Sequence, residues 1–234
     1  MRFIITEDQK KKLILNIPRP EFLGGWDNLQ KYLEKKGNPD YKISGSLNLS
    51  PEPREYENDF EVPDNMNLGG QPIETLGNLI SVGGHLDLGH TSIKSLGKLE
   101  SVGGDLYLSY TTIESLGNLK SVGGHLDLYE TDIKSLGELK FVGGELVLND
   151  TPIKSLGNLE SVGLYLSLSY TPIKSLGNLK SVGDDLFLNG TPIESLGNLE
   201  SVGRNLYLNG TPISKKYSEE EIRQMVNVNG KIYM

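Results

Sequence analysis

The chain has 234 residues, of which 36% are hydrophobic, with a formal net charge of −8 and no cysteine. These values predict one elongated domain and exclude disulfides, thiolate metal sites and cysteine nucleophiles. The N-terminus lacks an uninterrupted apolar segment, and no later run approaches 18 apolar residues. We therefore expect a cytoplasmic protein with no membrane attachment.

The first 44 residues are predicted to form a small N-terminal cap. Residues 3–5 are typical of a short strand, and a capping-box pattern predicts a helix over about 7–15. A second amphipathic helix is predicted near 27–36, with Gly37 as its stop. We expect these elements, over 1–44, to cover one end of the core that follows.

Residues 41–49 read as a strand whose second half has the pattern G-x-L-x-L, with Leu47 in the first apolar position. The acidic stretch 51–64 is interpreted as a degenerate repeat with an acidic bulge, and a disordered acidic loop is the alternative. Met66 is expected to start the next strand. The sequence thus predicts Leu47 in the first rung and Met66 in the second.

A 20-residue repeat organises the rest of the chain. Residues 83–102 read GGHLDLGHTSIKSLGKLESV, and copies continue in register to about Ile213. A period of this length is the signature of a solenoid, in which each copy buries its apolar side by stacking on the next. The fixed positions are an L-x-L pair, which predicts a half-buried strand, then a Thr, an Ile, a Leu-Gly-x-Leu step and a Val-Gly step. We place the last two steps, with the recurring serines beside them, in turns.

The C-terminal residues are predicted to form a second cap. Ser218 and Glu221 make a capping box before a helix over about 219–227, and 230–234 repeats G-x-L-x-L. The domain assignment is therefore a cap over 1–44, a solenoid over 45–214 that is regular from about 65, and a cap over 215–234. Counting one strand per rung gives ten rungs.

The repeat resembles the leucine-rich repeat family, most closely its short 20-residue bacterial class. The matching positions are Leu86, Leu88, Thr91, Ile93, Leu96, Gly97 and Leu99. The resemblance implies a solenoid with one continuous parallel β-sheet, a turn-rich convex side and helical caps, in a protein that binds other proteins. Thr stands where the family has Asn, so hydroxyls would satisfy the turn backbone, and Gly stands where it has Pro. Clean repeats with simple caps would fit a bacterial or phage protein.

The variable positions beside the Leu pair are predicted to face outward, because side chains alternate across a strand. They are rich in tyrosine and acidic residues, and the lysines of the repeats lie at other positions. Rigid aromatic side chains suit a protein interface. We predict a partner-binding face that includes Asp105, Tyr107, Tyr110, Asp127, Tyr129, Glu145, Tyr165, Tyr170, Phe187 and Tyr207.

Other functions are weighed against this one. A carbohydrate-binding module on the same face is the alternative, and an acidic face argues against nucleic acid. His85, Asp105 and His125 share one position of the repeat and are the candidate metal ligands, although the two histidines are two rungs apart and solvated histidines are the preferred interpretation. We predict no cofactor and no catalytic site, because no catalytic arrangement or phosphate loop emerges. We also expect a monomer.

Overall fold

The structure is a computed structural model that describes residues 15–17, 26–43, 47–48, 66–67 and 73–234. The strand predicted at 3–5 and the degenerate repeat at 51–64 lie outside these residues. So does the helix predicted over about 7–15 up to Leu15, where a strand begins. Strands and helices are numbered along the chain.

The L-x-L pairs form one sheet of ten parallel strands, as the repeat predicts. We call it the leucine sheet. Neighbouring strands pair in a constant register, with Leu86 opposite Leu106 and Leu126 opposite Leu146. Its strands are β3 (Leu47–Asn48), β4 (Met66–Asn67), β6 (Leu86–Asp87), β8 (Leu106–Tyr107), β10 (Leu126–Asp127), β12 (Leu146–Val147), β14 (Leu166–Ser167), β16 (Leu186–Phe187), β18 (Leu206–Tyr207) and β20 (Ile232–Tyr233).

A second sheet of ten parallel strands runs along the other side, which we call the valine sheet. Its strands are β1 (Leu15–Ile17), β2 (Tyr41–Ile43), β5 (Leu79–Val82), β7 (Ser101–Val102), β9 (Ser121–Val122), β11 (Phe141–Val142), β13 (Ser161–Val162), β15 (Ser181–Val182), β17 (Ser201–Val202) and β19 (Asn227–Val228). The Ser-Val steps were expected in turns. They are strands because their backbones bond to the preceding repeat, as in Gly103 N–H to the Val82 carbonyl at 2.8 Å. The protein is therefore a parallel β-solenoid with a sheet on each side.

The core lies between the two sheets and consists of the fixed apolar positions. In one copy these are Leu106, Leu108, Ile113, Leu116, Leu119 and Val122, each with no exposed surface. Equivalent side chains recur every 20 residues and stack on one another, so each copy completes the burial of its neighbours. The predicted core positions are confirmed.

The recurring threonines also point inward, as predicted. Each threonine hydroxyl donates to the carbonyl of the Leu three residues earlier, at 2.6 Å for Thr91 and Leu88 and 2.7 Å for Thr131 and Leu128. The Leu88 carbonyl also accepts from the Thr91 N–H at 3.2 Å, so the hydroxyl adds a second hydrogen bond to the buried turn. The threonine hydroxyls therefore bond to the backbone of the turn, as the sequence predicts.

Glycine in the Leu-Gly-x-Leu step has a conformational reason. Gly97 has φ of +59° and Gly117 has φ of +57°, in the left-handed region. Proline is fixed near −65° and cannot adopt this conformation, whereas glycine adopts it without a steric penalty. This positive φ explains why glycine stands here, where the leucine-rich repeat pattern has proline.

Among the described residues, three helices lie outside the repeats: α1 (Trp26–Lys35), α2 (Pro212–Lys216) and α3 (Glu219–Met225). The helices predicted near 27–36 and 219–227 are confirmed, and so is the capping box, since Ser218 and Glu221 bond to each other's backbone. The short α2 was not predicted; the Thr211 side chain caps it, and Pro212 fits its first turn. No helix in the described part of the chain is long and apolar enough to cross a membrane.

The first strands differ from the prediction in two ways. The stretch 41–49 was read as one strand, but Tyr41–Ile43 belongs to the valine sheet and Leu47–Asn48 to the leucine sheet. In addition, β3 pairs directly with β6, and β4 lies outside it at the sheet edge. Met66 therefore precedes Leu47 in space, although it follows Leu47 in sequence.

Candidate functional site

The predicted binding residues all lie on the solvent side of the leucine sheet. The fixed leucines point into the core, so the residues between and beside them face outward. Tyr110, Tyr129 and Tyr170 are exposed, with 50%, 44% and 68% of their surface accessible. The others are partly exposed: Asp105, Tyr107, Asp127, Glu145, Tyr165, Phe187 and Tyr207. Their role in binding remains a prediction.

Not every outward position displays its side chain. Asp87 is 1% exposed, and its Oδ1 accepts a hydrogen bond from Gly89 N–H at 3.0 Å. Asp127 makes the same bond to Tyr129 N–H at 3.0 Å, but remains partly exposed. These turns bend the chain at the end of each strand and place the next residues at the sheet edge.

A ladder of side chain to backbone bonds runs through the position that includes His85. The Asp105 N–H donates to His85 Nδ1 at 2.9 Å, and the His125 N–H donates to Asp105 Oδ1 at 2.7 Å. The Glu145 N–H then donates to His125 Nδ1 at 3.0 Å. Each of these side chains thus satisfies the backbone of the next rung, which is a structural task.

This ladder changes the interpretation of the candidate metal ligands. His85 Nδ1 and His125 Nδ1 accept backbone hydrogen bonds, so those two lone pairs are not free to bind a metal ion. Asp105 lies between the histidines and uses one carboxylate oxygen in the same way. Within the described residues, no group of three or more ligating side chains is placed to hold a metal ion.

The aromatic side chains form two clusters on this face. Near the C-terminus, the Phe187, Tyr207 and Tyr233 rings stack with centroids 4.5 and 4.6 Å apart. Nearer the middle, the Tyr110 ring stacks on His90 at 4.5 Å and meets the Tyr129 ring edge-on at 5.7 Å. Sequence reasoning placed Tyr110, Tyr129, Phe187 and Tyr207 on one face, but it did not separate the clusters and did not include Tyr233.

A depression of about 350 Å³ opens on the middle of the face. Tyr107, His125, Asp127 and Glu145 contribute to its lining. Tyr165 lies close by, and its pKa is raised to about 12, first by burial and then by its hydrogen bond to Glu145 and by the charges of Glu145 and Asp127. The centre of the leucine sheet is therefore negatively charged and has aromatic walls.

A second depression, of about 530 Å³, lies at the edge of the sheet where the strands turn. It is lined by Tyr110, Thr111, Thr112, Tyr129, Glu130, Thr131, Asp132, Asn149, Asp150 and Pro152. The predicted binding residues include the two tyrosines but not the carboxylates of Glu130, Asp132 and Asp150. The signal for them was present, since the turn positions after the strand are as variable as the strand positions.

One basic side chain enters the pattern in the last rung. The register places Lys231 beside Asn205, in the position that holds His85 and Asp105 in earlier copies. The repeat lysines were expected to lie away from this face, and Lys231 was not considered because it follows the regular copies. The negative character of the face is therefore strongest in its middle rungs.

The opposite side carries charges that pair with each other. Lys120 bonds to Glu100 at 2.9 Å, Lys134 to Glu114 at 2.7 Å and Lys180 to Glu160 at 2.8 Å. Each pair joins residues 20 apart, and therefore neighbouring rungs. These six charges are thus compensated within the protein.

The chain matches no protein-family model, and no match is found among curated proteins or solved structures. Its repeat pattern and its geometry therefore carry the functional argument.

Proposed function

We propose that this chain is a non-enzymatic binding protein of the leucine-rich-repeat type, which recognises a protein partner through the outer face of the leucine sheet. In this proposal the terminal helices and the last strands cap the repeats. The observation that carries the proposal is the concentration of tyrosines and carboxylates on one rigid face. Tyrosine on a rigid surface supplies large contact area at little cost in conformational entropy, which is why it is enriched at the centres of interfaces.

The contrast with the opposite face supports the choice of surface. There the valine sheet shows mainly serine side chains, and the neighbouring lysines and glutamates neutralise each other. Such a surface offers a partner nearly the same side chains in every rung, so it has little to distinguish one position from another. On the leucine sheet, by contrast, the exposed residues differ from rung to rung, so they specify one arrangement of contacts.

Ring orientation favours a protein over a carbohydrate partner. A sugar ring packs on the free face of an aromatic ring. Phe187, Tyr207 and Tyr233 cover one another's faces by stacking, and Tyr110 has one face covered by His90. The rings of Phe187, Tyr207 and Tyr233 therefore offer mainly their edges and the two tyrosine hydroxyls to a partner, which suits the mixed polar and apolar contacts of a protein surface.

The test uses the immobilised chain to capture a partner from its native cells, followed by affinity measurements with variants. Replacing Tyr107, Tyr129 or Tyr165 with alanine should weaken the complex by roughly 1–3 kcal/mol, as expected for central aromatic residues. Lys134→Glu and Lys154→Glu on the other side are the matched controls and should leave affinity almost unchanged. Loss of binding in the lysine variants alone would contradict the proposal. So would capture of sugars that compete for the tyrosine face when no protein partner is found.

The carboxylates should act mainly on the rate of association. Asp105→Asn and Asp127→Asn keep the oxygen that accepts from the backbone of His125 and Tyr129, and remove only the charge. The association rate should fall in low salt, and the difference should shrink at high ionic strength. An unchanged rate at every salt concentration would mean that these charges do not face the partner.

A further inference from the structure

The depression at the edge of the leucine sheet has walls suited to one kind of side chain. The Tyr110 and Tyr129 rings lie 5.7 Å apart at 85°, so one ring presents its edge to the other and they form a corner. Both rings are about half exposed, and the corner opens into a space of about 530 Å³. A space of this size accommodates a long side chain of a bound segment.

Three carboxylates surround the same space: Glu130, Asp132 and Asp150. The carboxylates of Asp132 and Asp150 make no hydrogen bond or ion pair to any other residue that the structure describes. The charge of Glu130 is the largest cause of the raised pKa of the Tyr129 hydroxyl, and Asp150 adds to it. Lys134 is near Asp132 in sequence but is paired with Glu114 at 2.7 Å. The negative charge of the depression is thus not neutralised by its own chain.

The backbone at this edge is unusual. In five successive repeats, the third residue after the leucine-sheet strand has φ between +54° and +61°: His90, Tyr110, Glu130, Asp150 and Tyr170. In the next two repeats the same position is Gly190 and Gly210, also with positive φ. A left-handed conformation is unfavourable for a residue with a side chain, and glycine adopts it without this cost.

The scaffold does not require a side chain there. Tyr110 N–H bonds to the Tyr129 carbonyl at 3.1 Å, and Gly190 N–H bonds to the Asn209 carbonyl at 3.0 Å, so both rungs make the same backbone contact. Strained residues persist where a function uses their side chains. Three of the five strained positions with side chains, Tyr110, Glu130 and Asp150, line the aromatic and acidic depression, which points to a displayed surface rather than to stability.

We propose that this depression binds an arginine side chain in a basic segment of the partner protein. The proposal rests on the proposed function, since it names the chemistry that the binding face selects. A guanidinium packs favourably against tyrosine rings within about 6 Å of their centroids and bonds to two carboxylate oxygens at once. The walls supply both contacts, and the three carboxylates supply a charge that complements a basic segment.

Synthetic peptides test this binding without the natural partner. The probe is an acetylated Gly-Arg-Gly-Arg-Gly amide, titrated into the intact chain while its backbone amides are followed by nuclear magnetic resonance. The control peptides replace arginine with citrulline, which has the same shape without the charge, or with lysine. Arginine should shift the signals of residues 110, 129–132 and 150, lysine should bind several-fold more weakly, and citrulline should cause no saturable shift.

Variants of the chain locate the contact. Glu130→Gln and Asp150→Asn remove charges and should each weaken the arginine peptide about five- to tenfold. Glu138→Gln and Glu160→Gln remove charges from the opposite side and should change the affinity less than twofold. Equal binding of citrulline and arginine, equal effects of the two sets of variants, or shifts spread over both faces would overturn the proposal.

The outcome is separable from that of the proposed function. If a captured partner depends on Tyr107 and Tyr165 while the arginine peptide does not bind, the face is a protein-binding face and the arginine site is wrong. If the captured partner is indifferent to every tyrosine on the face, the proposed function fails whatever the peptide does.

Discussion

The leucine sheet and the valine sheet are built from the same kind of two-residue parallel strand, but they present different surfaces. On the valine sheet, the outward residue is serine in six of the seven repeat strands, and Phe141 is the exception. On the leucine sheet, the equivalent outward residues include aspartate, tyrosine, valine, serine and phenylalanine. Both sheets enclose one shared core, so the scaffold alone does not account for the difference.

The comparison separates residues that build the solenoid from residues that the solenoid displays. The Gly after the valine strand shows the first kind: a Cβ on Gly123 would collide with the Gly103 carbonyl, and the same holds for each copy from Gly103 to Gly203. Such positions are fixed by the close approach of neighbouring rungs. The positions that vary are those with room on the outside, and on the leucine sheet they hold most of the exposed aromatic surface.

The largest expected effect comes from removing residues 218–234. This deletion takes away β19 and β20, which pair with the last strands of the valine and the leucine sheet. It exposes the edges of both sheets together with the end of the core. We expect aggregation and loss of cooperative unfolding, measured by size-exclusion chromatography and circular dichroism. A soluble shorter monomer with a sharp transition would show that the terminal segment does not cap the repeats.

A pair of neighbouring substitutions sharpens the comparison between core and display. Leu128→Ala removes a fully buried side chain and should lower the free energy of unfolding by about 2–5 kcal/mol. Tyr129→Ala, one residue later, removes an exposed side chain and should cost less than about 1 kcal/mol. Denaturant titrations of both variants measure the two free energies of unfolding. Comparable losses would mean that the displayed residues also hold the fold together.

A substitution at a strained position should stabilise the protein. Glu130 has φ of +54°, so Glu130→Gly relieves the left-handed conformation and should raise the free energy of unfolding by about 0.5–1 kcal/mol. Gly210→Ala, at the same position of a later repeat, is the matched control and should be destabilising. A loss of stability in Glu130→Gly would show that its side chain has a structural role.

The smallest effect is expected from the ion pairs on the other side. The hydrogen bond from Lys180 and its positive charge lower the pKa of Glu160. The pair therefore contributes stability above the ordinary pKa of a glutamate, and this contribution is lost as the pH falls through the lowered pKa. Glu160→Gln should melt slightly below the parent at neutral pH and equally in acid or in about 1 M salt. A large difference that survives in salt would contradict this.

The repeat made the leucine sheet and the core predictable, because L-x-L alternation and a constant period are strong signals. The valine sheet was missed because the Ser-Val step offers one apolar residue followed by glycine, whereas a second leucine follows each leucine strand and completes the L-x-L alternation. The outer position of Met66 was also missed, since sequence order does not fix the order of strands in a sheet. Both errors concern pairing, which depends on contacts between distant residues.

The site was predictable as a face but not as a set of contacts. Alternation places His125 outside, yet it cannot show that the ring turns back and accepts a backbone hydrogen bond from Glu145. Nor does tyrosine or glutamate predict a left-handed conformation at Tyr110 and Glu130. A signal for it existed in the glycine at 190, which occupies the same position and marks it as tolerant of positive φ.

Hydroxyl-radical footprinting of the captured complex tests the central claim most directly, because it compares both sides of the protein in one experiment. Tyr110 and Tyr129 are exposed on the leucine-sheet side, and Phe141, with 43% of its surface accessible, serves as an internal control on the valine sheet. We predict that the partner lowers the oxidation of the two tyrosines several-fold and leaves that of Phe141 unchanged. Protection of Phe141 with full oxidation of the tyrosines would show that the partner binds the valine sheet instead.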